Sequence, residues 1–509
     1  MIGRPGIAQR CAVFAGFVFA LLLSASASAD FLVTKDGRVV DGKKITRAEG
    51  GLKIAFENGE VFVADALVSD VLIEGEALAP PQTEEEKAQA AKGMVRFEGR
   101  WMTPKSRDTE LKKRLDKRLA DLETFKAHSE WRNRYKVSSK NFEFEHTLMP
   151  ETFEVYRELM EAYFTQFVKD WKIQVPKGLG KLKVCLYSNY DDMVQIGGAG
   201  GGVLGYFRFV PPLELNFFHD RLDTAFTEEV MFHETSHYLQ KLMDVSFKMP
   251  HFPGESLAEY YGASRWDPVK KKLTTGLILE GRLVEVQDDI AGGSMMSLER
   301  LVSTGRMYEH YNWGWTLAHF LMSDKRYAPK FQKFVIALVE GKDVKREVGG
   351  MNLKDVEPSE VYAAFRRYLD LKDDEAFKKL EAEWHAYVKD KLTLVTPRGK
   401  EEAARSAMNS GRPIKAKRLF KEAIEAGTNN PTTFHHYAGL LMREGKKDDA
   451  IAMWKRAIAA DPLTGEYYWG MARVIQDEAE QKRLKKLAKE LDPDGSYTEI
   501  DLGALKDGD

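Results

Sequence analysis

The chain has 509 residues, of which 43% are hydrophobic and 30% are charged, and its formal net charge is −2. This composition excludes a disordered or fibrous protein. The balanced charge excludes both a polybasic nucleic-acid binder and a polyacidic chain made for a cationic partner. Since the length exceeds what one hydrophobic core usually supports, we expect a multidomain globular protein of the α+β class.

Residues 1–29 have the organisation of a secretory signal peptide. Arg4 and Arg10 form a short positive region, residues 11–23 are apolar, and residues 27–29 (Ala-Ser-Ala) form a small-residue cleavage site. The apolar run is too short to cross a bilayer comfortably. We therefore predict an exported protein, periplasmic or secreted, that begins at Asp30 and has no membrane span after cleavage. An uncleaved N-terminal anchor is the alternative.

Residues 30–78 predict a small all-β module, because short runs of β-forming residues alternate with Asp-Gly, Gly-Gly and Asn-Gly turn pairs. Residues 79–138 predict a charged linker and helix. Two prolines and three consecutive glutamates mark the linker, and residues 107–135 carry dense alternating charge with spaced Leu and Phe.

Residues 139–398 predict the largest domain, which we expect to be mainly helical with a small mixed or antiparallel sheet. The pattern predicts strands over 142–147 and 181–187 and an amphipathic helix over 151–171. Cys185 is the only cysteine after the predicted signal peptide, so no intramolecular disulfide is expected. We expect an inert core thiol; a reactive thiol is the alternative.

A glycine-rich segment contains a formal G-x-G-x-x-G at Gly200, Gly202 and Gly205. A dinucleotide site needs a strand before this motif and a helix after it. Here an alternating strand follows instead, up to Phe218. The segment therefore predicts a flexible loop before an edge strand and no nucleotide site.

Residues 399–495 repeat themselves with a period of 34, and residues 496–509 form a tail. Small and aromatic residues recur in two good copies, Ala416, Phe420, Ala423 and Ile424 matching Ala450, Trp454, Ala457 and Ile458. A weaker third copy ends at Asp492-Pro493. The pattern resembles the tetratricopeptide repeat, which implies stacked helix–turn–helix units and a surface for a protein partner.

The segment His233-Glu-Thr-Ser-His237 predicts a metal site. A helix capped by Asp223 or Thr224 places the two histidines one turn apart on one face, where both imidazoles reach one cation. Glu234 lies about 100° round the helix, beside the metal rather than on it. There a free carboxylate is able to take a proton from water. Two histidines satisfied within an ordinary helix are the alternative.

Glu255 is a candidate third ligand and stands in Gly-Glu-Ser-Leu-Ala-Glu-Tyr, which we expect to begin a helix after a loop containing Pro250 and Pro253. Glu259 follows one turn later on the same face. Its carboxylate is placed to accept a hydrogen bond from a ligating histidine. An exposed acidic face is the alternative for this pair.

These two motifs resemble the gluzincin zinc metallopeptidases, whose second motif typically reads W-x-x-E-G-x-A-E; here Phe252 replaces the tryptophan and Ser256 the common glycine. The resemblance covers about residues 140–395. It implies a gluzincin-like domain with Zn²⁺ bound by His233, His237 and Glu255, Glu234 as general base, and Glu259 supporting a ligand. The segment Tyr311-Asn-Trp-Gly314 is similar to a tyrosine helix of the aminopeptidase branch, which implies that Tyr311 stabilises the oxyanion, with Tyr308 in reserve.

The whole chain resembles uncharacterised exported bacterial proteins of this metallopeptidase type with attached repeats. We therefore predict an exported zinc metallopeptidase, an endopeptidase rather than an exopeptidase, acting on peptide or protein substrates. The aminopeptidase activity of the resembled branch is not carried over, because the sequence shows no clear signature for binding a free amino terminus. The alternative is a non-catalytic binding or scaffold protein that uses the repeats and the β module, with a vestigial or structural metal site. His219, His251 and His310 are expected to be loop or packing residues.

Overall fold

A computed structural model of the chain describes residues 30–76, 80–175, 180–200, 203–210, 212–221, 223–393, 395–493 and 495. The predicted signal peptide (1–29), Gly202 and the tail (496–509) lie outside the described residues. The chain divides into two compact units between Leu115 and Asp116. The described part contains 18 α-helices, several small sheets and an N-terminal β module, which confirms a multidomain α+β protein. None of the described helices is long and apolar enough to cross a membrane.

The first unit begins with six strands: β1 (Phe31–Thr34), β2 (Val39–Asp41), β3 (Lys44–Ala48), β4 (Gly51–Phe56), β5 (Gly59–Ala64) and β6 (Val68–Leu72). They form two antiparallel sheets, in the orders β2-β1-β6 and β3-β4-β5. The sequence pattern predicted every strand except β3. That strand was missed because Ile45 is its only buried residue, in a run that is otherwise polar or small.

The first unit continues with α1 (Glu84–Ala90), β7 (Val95–Phe97), β8 (Arg100–Met102) and the first half of α2 (Pro104–His128). Thr83 and Glu86 form a capping box at the start of α1, each side chain accepting the other's backbone N–H. Leu111 of α2 packs against Phe31 and Leu72 of the β module. The predicted charged helix is therefore present, but it ends at His128 rather than near residue 135.

A five-stranded mixed sheet opens the second unit. Its elements are β9 (Tyr135–Ser138), β10 (Phe142–His146), α3 (Pro150–Trp171), β11 (Leu182–Tyr187), α4 (Tyr190–Gln195), β12 (Gly205–Arg208) and β13 (Glu214–Phe218). The strand order is β12-β13-β11-β10-β9, with the three central strands parallel and both edge strands antiparallel. The single strand predicted up to Phe218 is in fact a pair of strands. Pro212 lies between them and lacks the amide hydrogen that a continuous strand would use.

The middle of the second unit is mainly helical. It consists of α5 (Thr224–Lys241), α6 (His251–Gly262), β14 (Arg265–Asp267), β15 (Lys272–Thr274), α7 (Glu280–Ala291), α8 (Leu298–Ser303), α9 (Glu309–Ser323), α10 (Ala328–Glu340), β16 (Glu347–Val348), β17 (Lys354–Asp355), α11 (Pro358–Tyr368) and α12 (Asp374–Lys391). One large apolar core joins these helices to the sheet and α3. Within it α5 packs on α3, α6 and the strands β12 and β13, and α6 packs closely on α9.

Three consecutive helix pairs end the described chain. They are formed by α13 (Pro397–Asn409), α14 (Pro413–Glu425), α15 (Pro431–Arg443), α16 (Lys447–Ala460), α17 (Gly465–Ala472) and α18 (Glu478–Leu491). The first helices of the pairs start 34 residues apart. Phe420 and Trp454, which the sequence period matched, are both buried. The 34-residue period therefore corresponds to one helix pair, and α13 packs directly on α7.

Candidate metal centre

Helix α5 carries the HETSH segment and begins where the sequence predicted. The Asp223 side chain accepts a hydrogen bond from the Phe226 backbone N–H at 3.0 Å, which confirms it as the N-cap. Met231, Phe232 and Leu239 are buried and fix the helix against the core. His233 and His237 lie on a half-buried face of this helix that is turned towards Glu255.

Helix α6 begins at His251, earlier than predicted, and carries the two candidate glutamates. The prolines at 250 and 253 suggested a loop, but Pro250 is the N-cap and Pro253 lies in the first turn. Backbone N–H groups there have no intrahelical partner, so proline costs nothing. Because the helix begins at His251, this residue lies one turn before Glu255 on the same helix.

The structure brings His233, His237 and Glu255 together. One ligand atom from each lies within 4.8 Å of the others. The two Nε2 atoms are 3.3 Å apart, and the Oε2 of Glu255 is 3.4 Å from each of them. Two imidazole nitrogens and one carboxylate oxygen at such spacings are the donor set that a catalytic zinc takes from a protein.

The Glu255 carboxylate faces the two imidazoles and is placed to bind a cation between them. Its Oε2 atom is buried and accepts no hydrogen bond from a described residue. Burial alone would raise the pKa of Glu255, but the neighbouring His237 and His233 hold it well below its usual range. A buried, ionised oxygen without a donor is costly, and a divalent ion between it and the two imidazoles removes that cost.

Glu259 lies beside the Nδ1 atom of His233 and is itself paired with Arg282. Glu259 is only 3% exposed, and its Oε1 lies 3.5 Å from the Nδ1 of His233. Arg282 of α7 donates to both carboxylate oxygens, at 2.7 and 3.1 Å. Burial would lower the pKa of His233, but contact with Glu255 and the charge of Glu259 raise it to about 9. The exposed acidic face considered from the sequence is therefore excluded.

Glu234 lies outside this group of three, as its position on the helix predicted. Its Oε2 accepts a hydrogen bond at 3.0 Å from the backbone N–H of Phe207, on the edge strand β12. Burial raises the pKa of the Glu234 carboxyl, and the charges of His233 and His237 offset part of that rise. The side chain also lines the cavity beside the site. It is thus a carboxylate that stands next to the cluster without joining it.

Tyr311 packs against the cluster from α9. Its ring is stacked on His233 at a centroid distance of 6.1 Å, and its hydroxyl makes no hydrogen bond to any residue that the structure describes. Burial raises the pKa of Tyr311, so the hydroxyl is a neutral donor. Tyr308, the reserve, is 49% exposed and its hydroxyl faces Arg282 at 3.5 Å.

The close approach of α9 to α6 depends on Gly314. A Cβ atom at this position would overlap the hydroxyl of Ser256 on α6. Gly314 and Ser256 therefore face each other where the two helices cross. Ser256 stands at the position where the resembled motif commonly has glycine. This crossing is what places Tyr311 beside His233.

A cavity of about 600 Å³ opens beside Glu234, His237 and Glu255. Its walls are largely apolar and include Phe207, Phe247, Phe252, Val302, Val356 and Val361. Three of the polar residues that line it are paired: Lys241 donates to the Phe247 carbonyl at 2.5 Å, and Lys248 pairs with Asp355 at 3.0 Å. The cavity is large enough for an apolar side chain of a bound molecule.

Sequence reasoning missed two contributors to this region, Arg282 and the pair His251–His310. No local spacing connects Arg282 to Glu259, since 23 residues separate them. His310 was expected to be a packing residue and is fully buried, with a pKa that burial lowers to about 4. His219 does pack, with its Nδ1 2.8 Å from the Tyr156 hydroxyl.

Comparison of the sequence with known proteins finds no matching protein-family model and no matching curated protein.

Proposed function

We propose that this protein is a zinc-dependent peptidase in which His233, His237 and Glu255 hold the metal. The observation that carries the proposal is the buried Oε2 of Glu255, which has no described hydrogen-bond donor and lies 3.4 Å from both imidazole nitrogens. Within the described residues this oxygen has only the two imidazoles as charge partners, and they pair with it only when they are protonated. The separate carboxylate of Glu234 supports a catalytic site rather than a structural one, because structural zinc sites are closed by four ligands.

Each neighbouring residue has a chemical role in this proposal. Zinc, when bound, supplies a Lewis acid that acidifies water and polarises a carbonyl group. Glu234 takes a proton from the attacking water and passes it to the leaving amine, a task for which its raised pKa suits it. The neutral hydroxyl of Tyr311 donates a hydrogen bond to the oxygen on which charge develops.

The edge strand β12 and the cavity favour an extended peptide as substrate. The Phe207 N–H points at Glu234, so the unpaired edge of this strand borders the candidate centre. An extended chain is able to add to such an edge through its backbone, while the apolar cavity receives one of its side chains. Cleavage within a chain, rather than at a terminus, is proposed because the site residues that the structure describes include no acidic pair free to bind an amino terminus.

The test is metal content and peptide cleavage of the purified chain from Asp30 onward. We expect about one zinc per chain and cleavage of an unfolded protein such as casein that stops when the metal is removed and returns when it is restored. A chain that binds no metal, or binds it and cuts no peptide tried, would instead support the non-catalytic scaffold with its repeats as partner surface. N-terminal sequencing of the exported protein tests the predicted start at Asp30.

A further inference from the structure

A chain of hydrogen bonds at the cavity wall fixes the tautomers of two histidines. The Leu301 carbonyl can only accept, so the Nε2 of His310, 2.8 Å away, carries a hydrogen. The Nδ1 of the neutral His310 ring is then an acceptor, and it lies 2.6 Å from the Nδ1 of His251. His251 therefore donates from Nδ1, and in its neutral form its Nε2 carries a lone pair and no hydrogen.

Among the described residues, the Nε2 of His251 has no hydrogen-bond partner, and this atom is buried. The Oε1 of Glu255 lies 3.9 Å from it, and that atom is also an acceptor. Two acceptors that face each other without a donor are unfavourable. An N–H or O–H donor that enters the cavity would satisfy this nitrogen.

His251 lies beside the candidate metal position and is not a fourth ligand. The group whose ligand atoms all lie within 4.8 Å of one another contains His233, His237 and Glu255 but not His251. The lone pair therefore belongs to the space next to the ion. His251 also lines the same cavity as Glu234 and His237, so a molecule that enters the cavity reaches it.

Resting on the proposed peptidase function, we propose that His251 binds the substrate by accepting a hydrogen bond from one of its backbone N–H groups at Nε2. His310 is the positioning residue that keeps this nitrogen free of hydrogen. The chemistry favours a neutral amide N–H over an ammonium group. Apolar side chains and the cations Lys241, Lys248 and Arg306 line the cavity, while Glu234 accepts from the Phe207 N–H and Glu255 is assigned to the metal.

Binding through His251 predicts a requirement for an N–H group at one backbone position of the peptide, and this requirement depends on His251. A peptide whose N–H at the contacting position is replaced by N-methyl, or by the ring of proline, loses the donor. His251 then keeps a buried acceptor without a partner. We therefore expect about a 10-fold weaker binding of such a peptide to the wild-type protein.

The experiment is a scan of peptide hydroxamates, which bind a metal through two oxygens, with each backbone nitrogen methylated in turn. Dissociation constants are measured by calorimetry for the zinc-loaded wild type and for His251→Leu, His251→Gln and His310→Phe. Methylation at one position should weaken binding to the wild type about 10-fold and leave binding to His251→Leu unchanged. In His251→Gln the amide oxygen can accept the hydrogen bond, so methylation should weaken binding by an intermediate factor. His310→Phe should reduce the loss of affinity on methylation. A penalty caused only by steric conflict with β12 would persist in all four proteins.

His319→Gln is the matched control. This histidine is also buried on α9, but its nitrogens are bonded to the Tyr387 hydroxyl and the Gly276 carbonyl. His319→Gln should show the same loss of affinity on methylation as the wild type, and all variants should still bind zinc. If no position shows a penalty that depends on His251, including the case in which no peptide binds, the proposal is overturned. Binding with this discrimination but without cleavage would refute the peptidase alone.

Discussion

Arg282 and Glu259 form a two-point pair behind His233, with guanidinium nitrogens 2.7 and 3.1 Å from the two carboxylate oxygens. The pair joins α7 to α6, and through Glu259 it orients the ring of His233. The start of α7 also holds the helix pairs, since Glu280 accepts a hydrogen bond from the backbone N–H of Thr396 at 2.6 Å. One helix therefore supports both the candidate metal centre and the beginning of the repeats.

Removing Arg282 should damage both stability and metal binding. Arg282→Met leaves the 3% exposed Glu259 carboxylate without its partner, which should lower the free energy of unfolding by about 3 kcal/mol. Loss of the oriented carboxylate behind a ligand should weaken zinc affinity about 10- to 100-fold. Urea unfolding and zinc titration measure the two effects.

The control for Arg282 is Arg300→Met. Arg300 makes a 3.4 Å ion pair with Glu309 but is 64% exposed, so its loss should change neither property appreciably. Equal effects from the two substitutions would show that Glu259 does not act on His233.

Glu234 and Glu255 should separate turnover from metal binding. Glu234→Gln keeps the shape of the side chain and an oxygen that can accept from the Phe207 N–H, but it cannot take a proton. Turnover should therefore fall by about 10²-fold or more, while zinc stays bound. Glu255→Ala leaves two imidazoles as protein ligands, too few for a stable catalytic site. Zinc content and casein cleavage are measured on both. Zinc loss from Glu234→Gln, or a normal zinc content in Glu255→Ala, would contradict the assignment.

Tyr311→Phe should lower turnover without changing zinc content. Phenylalanine keeps the ring that stacks on His233 and loses only the hydroxyl, which makes no described hydrogen bond in the free protein. If that hydroxyl stabilises the developing oxyanion, kcat should fall by about 10²-fold. Tyr308→Phe is the matched control, because its hydroxyl faces Arg282. A larger loss in Tyr308→Phe would transfer the role to the reserve tyrosine.

The local parts of the fold were predictable, and the parts set by distant contacts were not. The Asp223 cap and the shared face of His233 and His237 follow from helical spacing alone. The 34-residue period likewise predicted the helix pairs. The strand β3 and the break between β12 and β13 were missed because short edge strands with polar residues leave little periodicity.

The sequence predicted that His233, His237 and Glu255 would lie together, but it did not predict what surrounds them. Glu255 and Glu259 could be placed on one helix face, but the helix start at His251 was missed because the prolines suggested a loop. The contact between His251 and His310 spans 59 residues and has no signature in spacing. Such contacts depend on how α6 and α9 cross, which the core packing decides.

Buried neutral histidine should make stability depend on pH, and His146 is the clearest case. It is 2% exposed, accepts a hydrogen bond from the Leu148 N–H at 3.3 Å, and stacks on Phe153 at 3.8 Å. Burial lowers its pKa from 6.5 to about 4. Below pH 6.5 the imidazole is protonated in the unfolded chain but stays neutral in the folded chain. Its contribution to the free energy of unfolding is therefore complete above pH 6.5 and is lost progressively as the pH falls towards 4. The loss from this residue should reach about 3 kcal/mol.

The test compares urea unfolding of the metal-free wild type, His146→Phe and Phe144→Leu between pH 8 and pH 4. His146→Phe keeps an aromatic ring against Phe153 but has nothing to protonate, so its unfolding free energy should fall less steeply with acid. Phe144 is buried in the same strand, and its substitution by leucine should lower stability by a constant amount at every pH. Wild-type and His146→Phe curves that run parallel would mean that the His146 imidazole takes up its proton equally well in the folded and unfolded chain.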